Sequence, residues 1–196
     1  MSSSPAASSS SPDPLNNRVD FKLHAAKIHL GNLKRIEARA GSLMANKVRI
    51  KAEMEIDEIL YYLVGVKDAL LQEINSEFQL GLALKDVASD KINLGLNQKC
   101  GVIAAKDIMS EINGMECKTR DPLWLINELH NHSKHRNMIP KAFVGIAGRG
   151  IIKVSFRSPR TKRKMKRPII DYLDASYKRI ENLQKNVTNK ISQYRV

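Results

Sequence analysis

The residues of this chain best suited to chemistry are gathered in "ELHNHSKHRNMIPK", Glu128 to Lys141. His130, His132 and His135 fall close together, with Asn131, Ser133, Lys134 and Arg136 among them, and Pro140 closes the segment. Imidazoles ligate metals or move protons near neutral pH, amides orient reacting groups, and guanidinium and ammonium groups neutralise phosphate. Three kinds of site are therefore open: a metal centre, a nuclease site, or a polar helix end with no chemistry.

On an α-helix, Glu128, His132 and His135 would stand at i, i+4 and i+7 and share one face, as zinc or a carboxylate-bridged metal requires. A metal centre also needs its remaining ligands, and no H-E-x-x-H signature or cysteine pair lies nearby to supply them, so neither metal nor cofactor is expected. The glycines of "GIAGRG" precede an apolar extended run and not a helix N-terminus, which sets them apart from a phosphate loop. A plainer reading has Asn131 and His132 ending the helix, His135 and Arg136 neutralising its C-terminal dipole, and Ser133 facing water.

Charge adds a second signal. The net charge is +13, yet residues 1–133 carry 16 Lys or Arg against 17 Asp or Glu, while residues 134–196 carry 17 against 3. The excess thus begins at the histidine cluster. Within it, "RSPRTKRKMKR" supplies seven positive charges in eleven residues: Arg157, Arg160, Lys162, Arg163, Lys164, Lys166 and Arg167. Like charges at that density repel, so the run suits a solvated loop or a surface that a polyanion neutralises. RNA or DNA fits such a surface better than a membrane does.

The elements that must position these residues are mostly helical. Phe21, Ile28, Leu30, Leu33 and Ile36 mark one amphipathic helix, with Gly41 as its stop. Ala52, Ile56, Ile59, Leu63, Val66, Leu70 and Ile74 step by fours and threes from a start near Ser42, which predicts a long central column. Tyr61 and Tyr62 within it are expected at core and rim. "FQLGLAL", residues 78–84, reads as a loop, followed by helices over Lys85 to Lys99 and Val102 to Ile112 separated by Gly101. Asp121 and Pro122 have the N-cap and first-turn chemistry of a further helix, with Leu125, Ile126 and Leu129 on its apolar face and Trp124 as an anchor.

After Pro140 the period changes. "AFVGIAGRG" and "IIKVSF" alternate β-branched or aromatic residues with glycine and charge, which predicts a small hairpin at about 142–167. From Pro168 a helical stripe returns through Ile170, Leu173, Tyr177, Ile180, Leu183, Val187 and Ile191. The expected class is mostly α: an antiparallel bundle of about five or six helices with a small β-hairpin inserted before the C-terminal helix. Residues 1–17, opening "MSSSPAASSSSPDP", hold too little apolar surface to order and lack a signal-peptide pattern, so they read as a tail before a single domain over 18–196. The two cysteines, Cys100 and Cys117, fit a reducing compartment, and no apolar run is long enough to span a bilayer. A soluble, cytoplasmic chain is expected.

The order of parts, a long second helix, then "LWLINELHNHSKHR" at a helix end, then a basic hairpin and a final helix, resembles the HEPN superfamily of helical-bundle nucleotide- and RNA-associated domains, in particular an archaeal and bacterial branch with chains of this size. The resemblance covers most of residues 18 to 194 in layout. The family's motif places an arginine, usually followed by a polar residue, four to six positions before a histidine; the matching string here is His130, Asn131, His132, Ser133, Lys134, His135. His130 thus stands where the motif has arginine. A guanidinium is always charged, whereas an unperturbed imidazole is protonated only about a quarter of the time at pH 7. Arg136 comes one residue too late to replace it directly.

The resemblance implies a metal-independent endoribonuclease, acting as a homodimer, in which a ribose 2′-OH attacks the adjacent phosphate and leaves a 2′,3′-cyclic phosphate. His135 would be the general acid or base, Asn131 would orient it or bind phosphate, and His130 would hold the charge-stabilising position. Arg136 and the 157–167 run would grip flanking phosphates. Other members only bind RNA, or partner a nucleotidyltransferase in toxin–antitoxin pairs, and the change at His130 shifts the expectation towards them. The competing class is a non-catalytic protein-interaction bundle whose basic loop keeps it soluble.

Overall fold

The computed structural model describes residues 17–39, 46–114, 122–136, 141–146, 149–154 and 168–195. The expected stop at Gly41, the N-cap at Asp121, residues 1–16 of the tail and the basic run 157–167 lie outside these residues, as do the side chains of Trp124, Leu125, His135 and Arg136; Asn17, expected in the tail, is described and belongs to the start of the first helix. The described part is mostly helical, with helices α1 (Arg18–Arg39), α2 (Asn46–Glu77), α3 (Ser89–Gly114), α4 (Pro122–Arg136) and α5 (Ile169–Tyr194). Two strands, β1 (Lys141–Ile146) and β2 (Arg149–Val154), pair antiparallel between α4 and α5 with Lys141 opposite Val154 and Ile146 opposite Arg149. No described helix is long and apolar enough to cross a membrane.

The central column is α2. All seven residues of its stripe, Ala52 through Ile74, are buried, and α1, α4, α3 and α5 pack around it. Spacing by threes and fours puts these side chains in one apolar strip, and burying them supplies the main driving force for the bundle. Its end is shaped by Asn75, whose amide donates to the Leu82 carbonyl at 2.9 Å and whose carbonyl accepts from Leu82 N at 3.1 Å. That pair braces the loop that "FQLGLAL" predicts.

On α1 the buried stripe is Val19, Leu23, Ala26, Leu30 and Leu33, while Phe21 and Ile28 are 40% and 50% exposed. The expected stripe included both, and the structure corrects it. Leu23 and Leu30 share the seven-residue spacing of Phe21 and Ile28, so periodicity fits either pair; packing selects the leucines, leaving Phe21 edge-on to Tyr62 with ring centres 6.1 Å apart. The Asn17 side chain caps α1, accepting from Val19 N at 2.8 Å.

The two helices expected over 85–112 form one element that starts at Ser89, four residues later than Lys85, because Lys85 lies in a short turn, Leu84–Asp86, and Val87 is extended. Gly101 breaks the element with φ 86° and ψ 164°, a conformation that costs a side-chain-bearing residue heavily. Ser89 and Asn113 line one hollow of about 570 Å³. In a straight helix they would be about 36 Å apart, so α3 is an elbow with two arms. Its second arm runs antiparallel to α5: Lys190 Nζ donates to Asp107 Oδ1 at 2.8 Å and Glu111 Oε1 at 2.9 Å, and Asn186 donates to Glu111 Oε2 at 3.2 Å.

The last helix carries the expected stripe. Ile170, Leu173, Ile180, Val187 and Ile191 are buried, and Tyr177 and Leu183 pack partly buried against the same core. Glu37 ties α1 to the strands, accepting from Ile152 N at 2.9 Å beside the buried Ile152 side chain.

Candidate nucleic-acid interface

The polar cluster of the sequence sits on α4, which continues through Asn131 and His132 to Arg136. Those two residues therefore do not end the helix. Ser133 does not simply face water either: its hydroxyl donates to Asp57 Oδ1 of α2 at 2.7 Å, in a partly buried position. Ile126 and Leu129 seat the helix in the core, and Ser133 fixes its last turns against the column.

Helix α1 is held on α2 by a second set of contacts. His29 Nδ1 lies 2.7 Å from Glu55 Oε2, so this nitrogen carries the proton and the carboxylate accepts it. Asn32 Nδ2 donates to the same carboxylate at 3.3 Å, and the His29 ring stacks on Tyr62 with centres 5.7 Å apart. Arg18 Nη1 donates to Gln72 Oε1 at 3.1 Å. Arg18 meets residue 72 and His29 meets residue 55, so the two helices run antiparallel.

Helices α1 and α4 flank the face of α2 opposite its core stripe, the side carrying Tyr61, Gly65, Asp68 and Gln72. A groove of about 290 Å³ lies there. Arg18 and Lys22 line it from α1, His130 and Lys134 from α4, and Asp68 is the one carboxylate among the described residues that line it. Each pair is spaced i, i+4, so each helix presents two basic side chains along one line. The groove is electropositive although the first two-thirds of the chain is neutral in sum.

Lys22 is the best defined of the four. Its Nζ stands 5.0 Å from the centre of the Tyr61 ring and 5.9 Å from that of Tyr62, within cation–π range. It reaches this place because residue 65 has no side chain: a Cβ on Gly65 would come within 2.6 Å of Nζ. Burial, and then the Arg18 guanidinium, pull the Lys22 ammonium below the ordinary lysine range, and Asp68 opposes them. A cation held against its own solvation and a like charge favours an incoming anion. Tyr61, expected at core or rim, is 56% exposed and forms part of the groove wall. Its ring meets Tyr62 nearly edge-on at 5.3 Å.

Of the proposed catalytic set, His130 lines this groove and Asn131 lines an adjoining hollow of about 330 Å³ walled by Leu63, Leu123, Ile126 and Ile180. Val64 and Asp68 border both. Consecutive residues on a helix diverge by about 100°, which divides the pair between two hollows. His135 and Arg136 lie in the last turn of α4, and Arg157 to Arg167 lie outside the described residues. Among the described residues no group of three or more His, Cys, Asp or Glu side chains is arranged to hold a metal ion.

Comparison with protein-family models, curated proteins and solved structures gives no match. The groove therefore stands on its own geometry. Sequence reasoning missed Arg18, Lys22, Tyr61 and Gly65. One signal was available: a lone glycine inside the strongest helical pattern costs about 1 kcal/mol relative to alanine and marks a close approach by another group.

Proposed function

We propose that this protein binds RNA along the outer face of α2, as a HEPN-like bundle. The observation that supports the reading is the convergence of Arg18, Lys22, His130 and Lys134 from two helices over a floor where Asp68 is the one carboxylate among the described residues. Basic side chains fixed on packed helices neutralise phosphates with little ordering cost, and the gain appears as counterion release. Arg136 and the basic run Arg157 to Arg167 extend the contact to flanking phosphates, with β1 and β2 as the hairpin that precedes the run.

Cleavage is the enzymatic form of the same proposal, with His135 as acid or base, Asn131 orienting it and His130 stabilising charge. The division of His130 and Asn131 between two hollows favours binding over cleavage, because the charge-stabilising and orienting groups face different spaces. Filter retention of labelled single-stranded RNA tests binding: affinity falls steeply between about 50 and 200 mM salt if several phosphates are neutralised. A bundle that only docks a protein retains no RNA at any salt. Incubating the same RNA in EDTA with wild type and His135→Ala tests cleavage, and a cyclic-phosphate product that requires His135 would establish it.

A further inference from the structure

The groove is short, overcharged for an internal phosphate, and walled by an exposed aromatic ring. Among the described residues that line it, Arg18, Lys22 and Lys134 against Asp68 leave two positive charges before His130 is counted. A phosphodiester inside a strand brings one negative charge, whereas a terminal phosphate monoester brings about 1.5 to 2 at neutral pH. At about 290 Å³ the groove sits near the lower bound of ligand pockets, room for one nucleotide unit and not for a run of them.

The aromatic wall belongs to the same unit. Lys22 and the edge of Tyr62 account for part of the Tyr61 ring's surroundings, and the rest opens to solvent. An unpaired base can stack on such a ring regardless of its identity, because every base has a π face. A duplex keeps its bases inside the helix and cannot use it.

Resting on the RNA-binding reading above, we infer that this groove captures the phosphorylated end of a single strand, with the terminal phosphate monoester between Arg18, Lys22, His130 and Lys134 and the terminal base stacked on Tyr61. A monoester also matches the state of Lys22, whose ammonium gains more from a dianion than from a diester. The phosphate can belong to the 5′ or the 3′ end; the chemistry is shared.

Three versions of one short single-stranded RNA distinguish the possibilities by fluorescence anisotropy with the full chain: 5′-phosphorylated, 3′-phosphorylated and unphosphorylated, each labelled at the opposite end or internally. One phosphorylated form is expected to bind about tenfold tighter than the unphosphorylated form, as a charge-assisted contact worth one decade in affinity would give. That preference disappears in Lys22→Gln, and Tyr61→Ala weakens binding several-fold while Tyr61→Phe retains it. Circular dichroism confirms that these surface variants remain helical. Equal affinity for all three strands, with binding still salt-dependent, overturns the end-capture inference and leaves RNA binding intact. No binding to any of them overturns both.

Discussion

Replacing Gly65 by alanine should raise the stability of this protein and lower its affinity for RNA, two effects that a single surface change rarely combines. Alanine in a helix interior is favoured over glycine by about 1 kcal/mol. The new methyl would meet Lys22 Nζ at 2.6 Å, and since Nζ is the free end of a flexible chain, the lysine gives way and not the helix. Losing its place over Tyr61 and Tyr62 removes a cation–π contact worth about 0.5 kcal/mol at a partly exposed site. The net gain is about 0.5 kcal/mol, or an increase in Tm of roughly 1 to 2 °C for a domain of this size. Binding loses one phosphate contact, so the slope of log K against log salt for single-stranded RNA becomes shallower by about 0.7. Thermal melts and anisotropy titrations at several salt concentrations read both quantities on one preparation. An unchanged slope with the predicted rise in Tm would refute the role of Lys22. A marked fall in Tm would refute the claim that the lysine is free to yield.

Other outcomes test the bundle that carries the groove. Ser133→Ala removes the donor to Asp57 and should cost about 1 to 2 kcal/mol in urea unfolding, with RNA affinity falling as α4 loosens; an unchanged midpoint would mean that the contact carries no weight. Ser176 is fully buried on α5 and its hydroxyl has no hydrogen-bond partner among the described residues, so Ser176→Ala should be neutral or stabilising by up to about 1 kcal/mol. Destabilisation there would reveal a partner for the hydroxyl. Asp107 and Glu111 are held below the ordinary carboxyl range first by hydrogen bonds from Lys190, so they stabilise the fold above the ordinary carboxyl pKa and lose that contribution as pH falls through their depressed values. Lys190→Met should therefore flatten the acid limb of the stability profile below about pH 4, and an unaltered limb would contradict the assignment.

Much of the fold was legible because burial writes a period into the chain. Ala52 through Ile74 can share a face only on a helix, and Ile170 through Ile191 repeat the pattern on α5. The same reasoning misplaced Phe21 and Ile28, since two apolar rows, each with a seven-residue spacing, compete on α1 and only the neighbouring helix decides between them. It read Gly101 correctly as a break and left the direction of the elbow open, because an interruption in sequence has no angle.

The groove was hidden for a different reason. A charge tally along the chain cannot see which acids are already engaged: Glu55 is taken by His29 and Asn32, Asp57 by Ser133, Asp107 and Glu111 by Lys190, and Asp174 by Lys34 and Lys178. With these carboxylates spent on helix-to-helix ties, Arg18, Lys22 and Lys134 meet across α2 with Asp68 as the one described carboxylate beside them. His130 could be singled out from its type and spacing, but its place opposite α1 required the third dimension.

The most direct measurement of the central claim is the salt dependence of single-stranded RNA binding for the wild type and for a Lys22→Ala, Lys134→Ala double variant. Removing one cation from each wall of the groove should make the slope of log K against log salt shallower by about 0.7 for each phosphate charge that loses its partner, at unchanged helicity. Identical slopes for the two proteins would place RNA elsewhere on the molecule and contradict the account.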